Sequence, residues 1–191
     1  MQIVVTGGIC TGKSTACKVF EENGFYIVDA DKIAHEVLDK NASSIKELFG
    51  DIYVSNGKVD RKKLGTLVFG DEKEREKLES LLHPLIREEI KKSALKLEKN
   101  QKRYILDIPL FFEKGGYSAD KVVLVYAPKE EQIKRLQKRN SLSFKEAQKR
   151  LDAQMDIERK KELSDIVIEN RSSIEELRNS IKKVIDADFK V

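Results

Sequence analysis

Residues 7–14 read Gly7-Gly8-Ile9-Cys10-Thr11-Gly12-Lys13-Ser14. The spacing G-x-x-x-x-G-K-[ST] belongs to a loop that cradles polyphosphates. A polyphosphate needs many hydrogen-bond donors and no like charge. A tight glycine-containing loop turns successive backbone N–H groups inward, and the helix that starts behind it adds its positive dipole end. Gly8, Cys10, Thr11, Gly12, Lys13, Ser14 and Thr15 are therefore the expected nucleotide-binding residues. Lys13 reaches the outer phosphates as a point charge, and the Ser14 hydroxyl ligates a Mg²⁺ that bridges them. Thr15 is placed for the inner phosphate. Cys10 stands where many such loops carry glycine. A position needing positive φ strains a cysteine, and a helix N-terminus lowers a thiol's pKa. The sequence thus predicts a reactive Cys10 thiol in the empty loop.

Other candidates lie where apolar runs end. Phe25-Tyr26-Ile27-Val28 runs into Asp29-Ala30-Asp31. Asp31 can take a proton from an attacking hydroxyl, or it can cap the helix Lys32–Leu38, and the two roles are compatible. Tyr104-Ile105-Leu106 ends in Asp107, a pattern that holds Mg²⁺ directly or through water when paired with a phosphate loop. His83-Pro84 marks a corner, where a histidine is either a cap or a site residue. Arg87, one turn on, meets a phosphate or solvent. Arg139 and Arg150 flank the short region where Ser143 opens a further helix, next to a basic helix side. There they fold over phosphates or simply form a solvated face.

The elements that must position these residues follow from periodicity. A strand, the loop, a helix carrying Ala16, Val19 and Phe20 on one face, and a second strand make a βαβ unit, hence a parallel sheet. Val122–Tyr126 reads as a buried parallel strand and Asp165–Asn170 as the last strand, giving five in all. Residues 32 to about 100 break this rhythm with helical patterns at Lys32–Leu38, Ser44–Phe49, Arg61–Phe69, Glu72–Leu82 and Leu85–Glu98. Gly50, Asn56-Gly57, Gly70 and Pro84 punctuate them, and residues 110–116 read as a loop. Ser143 with Glu146 three residues on is a capping box. A helical block between two strands is an insertion suited to a second substrate. Ser173–Ala187 closes the chain as an amphipathic helix.

Composition narrows the class. The chain has 191 residues, 40% hydrophobic and 37% charged, with a net charge of +4. Both signs are interleaved, and there is no tryptophan or basic tail, so nucleic acid is not an expected partner. No apolar run approaches the roughly 20 residues of a membrane span. The N-terminus enters a strand at once, so no secretory leader is expected. Cys10 and Cys17 do not make a disulfide framework, so reduced thiols and a cytoplasmic location are expected.

Read together, these segments resemble the dephospho-coenzyme A kinase family. The matching stretches are Thr6–Ile9 with Gly12–Thr15, Asp29-Ala30-Asp31, Gly57 with Asp60-Arg61 and Leu64, Leu78-Glu79 with His83-Pro84, Asp107–Leu110 with Phe112-Glu113, Gln132 with Arg135-Leu136 and Arg139, and Arg150, Gln154, Asp165 and Asn170. They run in order over nearly the whole chain. The resemblance implies an α/β protein of the P-loop NTPase class, with three α/β/α layers and a parallel five-stranded sheet. The core would be residues 1–31 and 99–191, a helical CoA-binding insertion 32–98, and a small lid about 139–150, all in one kinase domain. It implies phosphoryl transfer from ATP to the ribose 3′-hydroxyl of dephospho-CoA with Mg²⁺. Asp31 would be the base, Lys13 and Arg139 would contact the transferring phosphate, and Asp31, His83, Arg87 and Gln154 would lie at the acceptor. Ser14 and Asp107 would hold the metal. The partners are then ATP and dephospho-CoA, for a monomer or weak homo-oligomer. Departures are Cys10 for glycine, Ser164 for alanine, and Arg171-Ser172 where glycine is favoured; they bear on nucleotide affinity. Rival readings are a kinase of another hydroxyl acceptor, such as a nucleoside monophosphate or shikimate, and a nucleotide-binding switch. The switch lacks its guanine-reading Asn-Lys-x-Asp and its Asp-x-x-Gly segment.

Overall fold

The computed structural model describes residues 1–189. β1 (Ile3–Gly7) is buried along its whole length, as a β-branched run at the centre of a covered parallel sheet should be. α1 (Lys13–Glu22) follows the phosphate loop and buries Ala16, Cys17, Val19 and Phe20. Gly24 then takes φ +85°, and Phe25 returns its amide to Phe20 O at 3.1 Å, which turns the chain into β2 (Tyr26–Asp29). α2 (Ala30–Lys40) is capped by Asp29, whose Oδ1 accepts from Lys32 N–H at 2.9 Å. The cap considered for Asp31 thus belongs to Asp29. Asp31 sits in the first turn, where a carboxylate favours the helix start.

α3 (Ala42–Phe49) and a single 3₁₀ turn at Asp51–Tyr53 lead to a hairpin of β3 (Val54–Ser55) and β4 (Lys58–Val59). Asn56 and Gly57 between them both take positive φ, 50° and 72°, the turn that matches strand twist. The sequence marked Asn56-Gly57 only as punctuation. α4 (Arg61–Gly70) is capped by Asp60. α5 (Glu72–Lys99) then runs unbroken for 28 residues with Pro84 inside it, which corrects the expected pair of helices with a corner at His83-Pro84. Proline removes one backbone donor, yet Leu82, Ile86, Ile90 and Ala94 continue the buried stripe at four-residue spacing on both sides of it. That burial outweighs one missing hydrogen bond at the exposed Ser80–Pro84 face.

β5 (Tyr104–Asp107) is buried throughout. The stretch after it, expected as loop, holds one helical turn, α6 (Phe111–Lys114). β6 (Lys121–Tyr126), α7 (Lys129–Asn140), α8 (Phe144–Asp152), α9 (Ile157–Glu162), β7 (Ile166–Glu169) and α10 (Ile174–Asp188) complete the chain. Ser143 and Glu146 form the expected capping box on α8.

The five-stranded parallel sheet has the order β2-β5-β1-β6-β7. Its register sets Val5 beside Asp107 and Gly7 beside Val125. The carboxyl end of β5 therefore lies next to the start of the phosphate loop. The chain divides into two compact units, residues 1–28 with the chain from Lys96 onward, and Asp29–Leu95. In the first, Phe20 is fully buried and meets Phe25 edge-on, with ring centroids 5.4 Å apart, inside a cluster completed by Ile181 and Phe189. In the second, Ile45 and Leu64 centre a separate cluster with Ala42 and Val59. Phe20→Ala is expected to cost about 3–5 kcal/mol and to lower the melting temperature by roughly 10 °C. Thermal unfolding followed by circular dichroism checks this, and an unchanged melting temperature contradicts the assigned core.

Candidate phosphate-binding site

The loop from Gly7 to Lys13 is built by turning its carbonyls outward. Gly8 O accepts from Thr11 N–H at 3.3 Å and from Thr11 Oγ1 at 2.9 Å. Thr11 O accepts from Asn170 Nδ2 at 2.8 Å, and Gly12 O from Ala16 N–H at 3.0 Å. Two glycines are dictated by close approach. A Cβ on Gly8 would stand 2.6 Å from Gln132 Oε1. One on Gly12, where φ is +95°, would stand 2.3 Å from Asn170 Nδ2. Gln132 and Asn170 are themselves buried and held, Gln132 Nε2 donating to Ala127 O at 2.9 Å and Asn170 N–H to Tyr126 O at 2.7 Å. Arg135 donates to Asn170 O at 2.9 Å.

Lys13 Nζ lies 2.5 Å from Asp107 Oδ1, both mostly buried. The two charges predicted to serve the phosphates and the metal therefore neutralise one another at the mouth of the loop. Ser14 is exposed in the first turn of α1 and Thr15 is half-buried beside it. No group of three or more His, Cys, Asp or Glu able to hold a metal exists among the described residues. The oxygens at the loop, on Ser14 and Asp107, are of the kind that holds a Mg²⁺ bound with a nucleotide. Such an ion takes one or two protein oxygens and fills the rest of its shell with phosphates and water; here the oxygens available are Ser14 Oγ and the Asp107 carboxylate.

Cys10 has φ +57°, the left-handed conformation suspected from its departure from glycine. The reactive thiol is corrected, however. Cys10 packs with Ile9 against Ile133, Leu136, Ala147 and Leu151. Burial pushes the thiol above its ordinary range, while the charges of Arg139 and Arg135 pull it back by less. Desolvation outweighs the two arginine charges.

Gln154, expected at the acceptor, places its Oε1 on the loop, accepting from Ile9 N–H at 2.9 Å. Arg139 is exposed in the last turn of α7, its Nε donating to Asn140 Oδ1 at 2.9 Å, and Arg150 is exposed in the last turn of α8. α7 and α8 pack through Ile133, Leu136, Ala147 and Leu151. The residues left belong to the other unit. Asp31 is exposed on α2, and His83 and Arg87, both half-buried on α5, line a shallow pocket with Glu76, Glu79, Ser80 and Pro84. Lys160 is the residue that sequence reasoning missed. It is wholly buried and donates to Gly7 O at 3.3 Å. Its neighbours Arg159 and Lys161 make the stretch read as a solvated basic run, so only the three-dimensional packing singles it out.

A phosphate loop between a central parallel strand and its helix, with Lys13 paired to the aspartate at the end of the neighbouring strand, defines a P-loop protein of the kinase type. The fold is shared with shikimate kinase from Acinetobacter baumannii, at a TM-score of 0.51 and 17% identity over 99% of this chain and 95% of that one. The family model for dephospho-CoA kinase matches residues 1–176, and the chain belongs to that family of phosphotransferases. A dephospho-CoA kinase of Helicobacter pylori is 48% identical over 186 residues, covering 96% of this chain and 95% of the relative. The solved dephospho-CoA kinase from Campylobacter jejuni aligns at a TM-score of 0.79 with 38% identity, covering 97% of this chain and 95% of that one.

With the thiol half-buried and its pKa raised, iodoacetamide alkylation of Cys10 in a Cys17→Ser variant is expected to be slow at pH 7.5. Its rate should keep climbing with pH through and beyond the usual thiol range. A rate already level near pH 7 would mean a thiolate and would contradict the desolvated thiol.

Proposed function

We propose that this chain transfers the γ-phosphoryl group of ATP to the ribose 3′-hydroxyl of dephospho-CoA, giving CoA and ADP, the last step of coenzyme A biosynthesis. The reading is carried by the Lys13–Asp107 pair at a formed phosphate loop in a chain of the dephospho-CoA kinase family. Phosphoryl transfer needs in-line positioning and charge neutralisation more than covalent chemistry. The loop amides and the start of α1 receive the phosphates. Lys13 exchanges Asp107 for the β- and γ-phosphate oxygens, which frees the carboxylate. Ser14 Oγ and Asp107, the latter directly or through water, would hold a Mg²⁺ bound with the nucleotide, which would supply charge neutralisation for the phosphates. Thr15 lies toward the inner phosphate.

The acceptor oxygen attacks the γ-phosphorus as the bond to the β-bridging oxygen breaks. ADP leaves, and the hydroxyl proton passes to the Asp31 carboxylate. Arg139 adds positive charge to the transferring group when the 139–150 segment closes, and closure keeps water from competing. His83 and Arg87 are assigned to the acceptor through the helical unit Asp29–Leu95, which we take as the CoA-binding part. Gln154 supports the loop through Ile9. We place the enzyme in the cytoplasm as a monomer or weak homo-oligomer, with ATP and dephospho-CoA as its partners. Its two free cysteines and interleaved surface charge suit that setting. Among the described residues no helix is long and apolar enough to cross a membrane.

The test is ADP release from ATP and Mg²⁺ with dephospho-CoA, AMP, CMP, shikimate, adenosine and water offered separately. Release with dephospho-CoA, with CoA as the product, is expected; release with another acceptor alone reassigns the helical unit. Lys13→Ala is expected to lower kcat/KM by at least about 100-fold, and unchanged turnover would sink the mechanism. Asp31→Asn is expected to lower kcat by about 10²–10⁴-fold with the KM for ATP nearly unchanged. A change confined to the KM for dephospho-CoA would make Asp31 a binding residue in place of a base.

A further inference from the structure

Lys160 and Glu113 form an ion pair that the proposed chemistry does not use. Lys160 is wholly buried, and its Nζ lies 2.7 Å from Glu113 Oε1. The same ammonium donates to Gly7 O at 3.3 Å, where the phosphate loop leaves β1, and to Pro109 O at 3.5 Å, two residues beyond Asp107. Glu113 Oε1 in turn accepts from Met155 N–H at 3.1 Å, in the connection that follows α8. The adjacent Gln154 holds Ile9 N–H. Glu113 Oε2 is buried with no hydrogen-bond partner. A buried pair of this kind recovers its desolvation cost poorly, and an apolar pair of similar volume often stabilises as well or better. Stability alone is therefore a weak reason for a charge here.

Geometry supplies a better one. The three donor sites of one ammonium are distributed over the root of the phosphate loop, the turn after the Asp107 strand, and a carboxylate that grips the chain leaving α8. These are three backbone segments that nucleotide binding requires in fixed register, and no helix or sheet ladder bonds all three together. We propose that Lys160, braced by Glu113, is a positioning residue for phosphoryl transfer, setting the phosphate loop against Asp107 without touching substrate. The kinetic part rests on the functional reading above; the nucleotide-binding part does not.

Three variants test it. Lys160→Met keeps the volume and removes the donors, and is expected to raise the KM for ATP and lower kcat, with a combined loss in kcat/KM for ATP of about 10–100-fold. The KM for dephospho-CoA should stay within error. Lys160→Arg keeps charge and donors, and its fork can meet both Glu113 oxygens, so it should restore most of the activity. The double variant Lys160→Met/Glu113→Gln relieves the uncompensated buried carboxylate that the single variant leaves. It should regain melting temperature without regaining kcat or the KM for ATP. A filler role predicts the reverse split: activity per folded molecule stays at wild-type level in Lys160→Met, or returns with stability in the double variant. Either result overturns the proposal. Binding of a fluorescent ATP analogue with Mg²⁺ gives the separate arm. If the wild type phosphorylates no dephospho-CoA, the functional reading fails, while weaker analogue binding by Lys160→Met would still uphold the positioning role and equal binding would end it.

Discussion

A loop that turns its amides toward a polyphosphate must turn its carbonyls away, and buried carbonyls need donors. Much of this structure answers that need. Gly7 O is met by Lys160, Gly8 O by Thr11, Thr11 O by Asn170 and Gly12 O by Ala16. The donors come from α9, from the loop itself, from the end of β7 and from α1. Elements far apart in sequence are thus tied to seven residues near the N-terminus. The glycines at 8 and 12 follow from the same constraint, because Gln132 and Asn170 approach too closely for any Cβ.

Charge is arranged on the same principle. Lys13 must be positive to meet phosphate, yet it sits mostly buried. Asp107 neutralises it, and the parallel register of β1 and β5 puts that carboxylate alongside. In the function proposed above, the lysine would turn to phosphate and the carboxylate to the metal, so that each buried charge would keep a partner. The deeper lysine is treated differently. Lys160 is paired with Glu113, and the same ammonium holds the backbone carbonyls of Gly7 and Pro109.

Local chemistry made the strands, the loop, α1, the capping box and the closing helix readable in the sequence, since each is specified by its own period or cap. Among the residues brought together at the loop, Lys13 and Asp107 were readable because motif and strand end both name them. What escaped was decided at long range. Pro84 reads as a break until the buried stripe from Leu82 to Ala94 is seen to continue past it. The cap read for Asp31 belongs to Asp29, and only the backbone bond from Lys32 reveals it. Lys160 is hidden among flanking basic residues, since burial is a property of the fold and not of three adjacent letters.

Cys10 shows how such a conflict is resolved inside the site. A non-glycine residue at φ +57° costs about 1–2 kcal/mol of backbone strain. Glycine would remove the strain and also the side chain that packs on Ile133, Leu136, Ala147 and Leu151. Burying a side chain of that size is worth an amount of the same order, so the cysteine is close to neutral for stability. It is not neutral for connectivity. Its thiol rests on the two helices that carry Arg139 and Arg150, so the tip of the phosphate loop and the α7–α8 pair share an apolar contact that glycine could not make. The strained residue joins the tip of the loop to the helix pair that carries the two arginines.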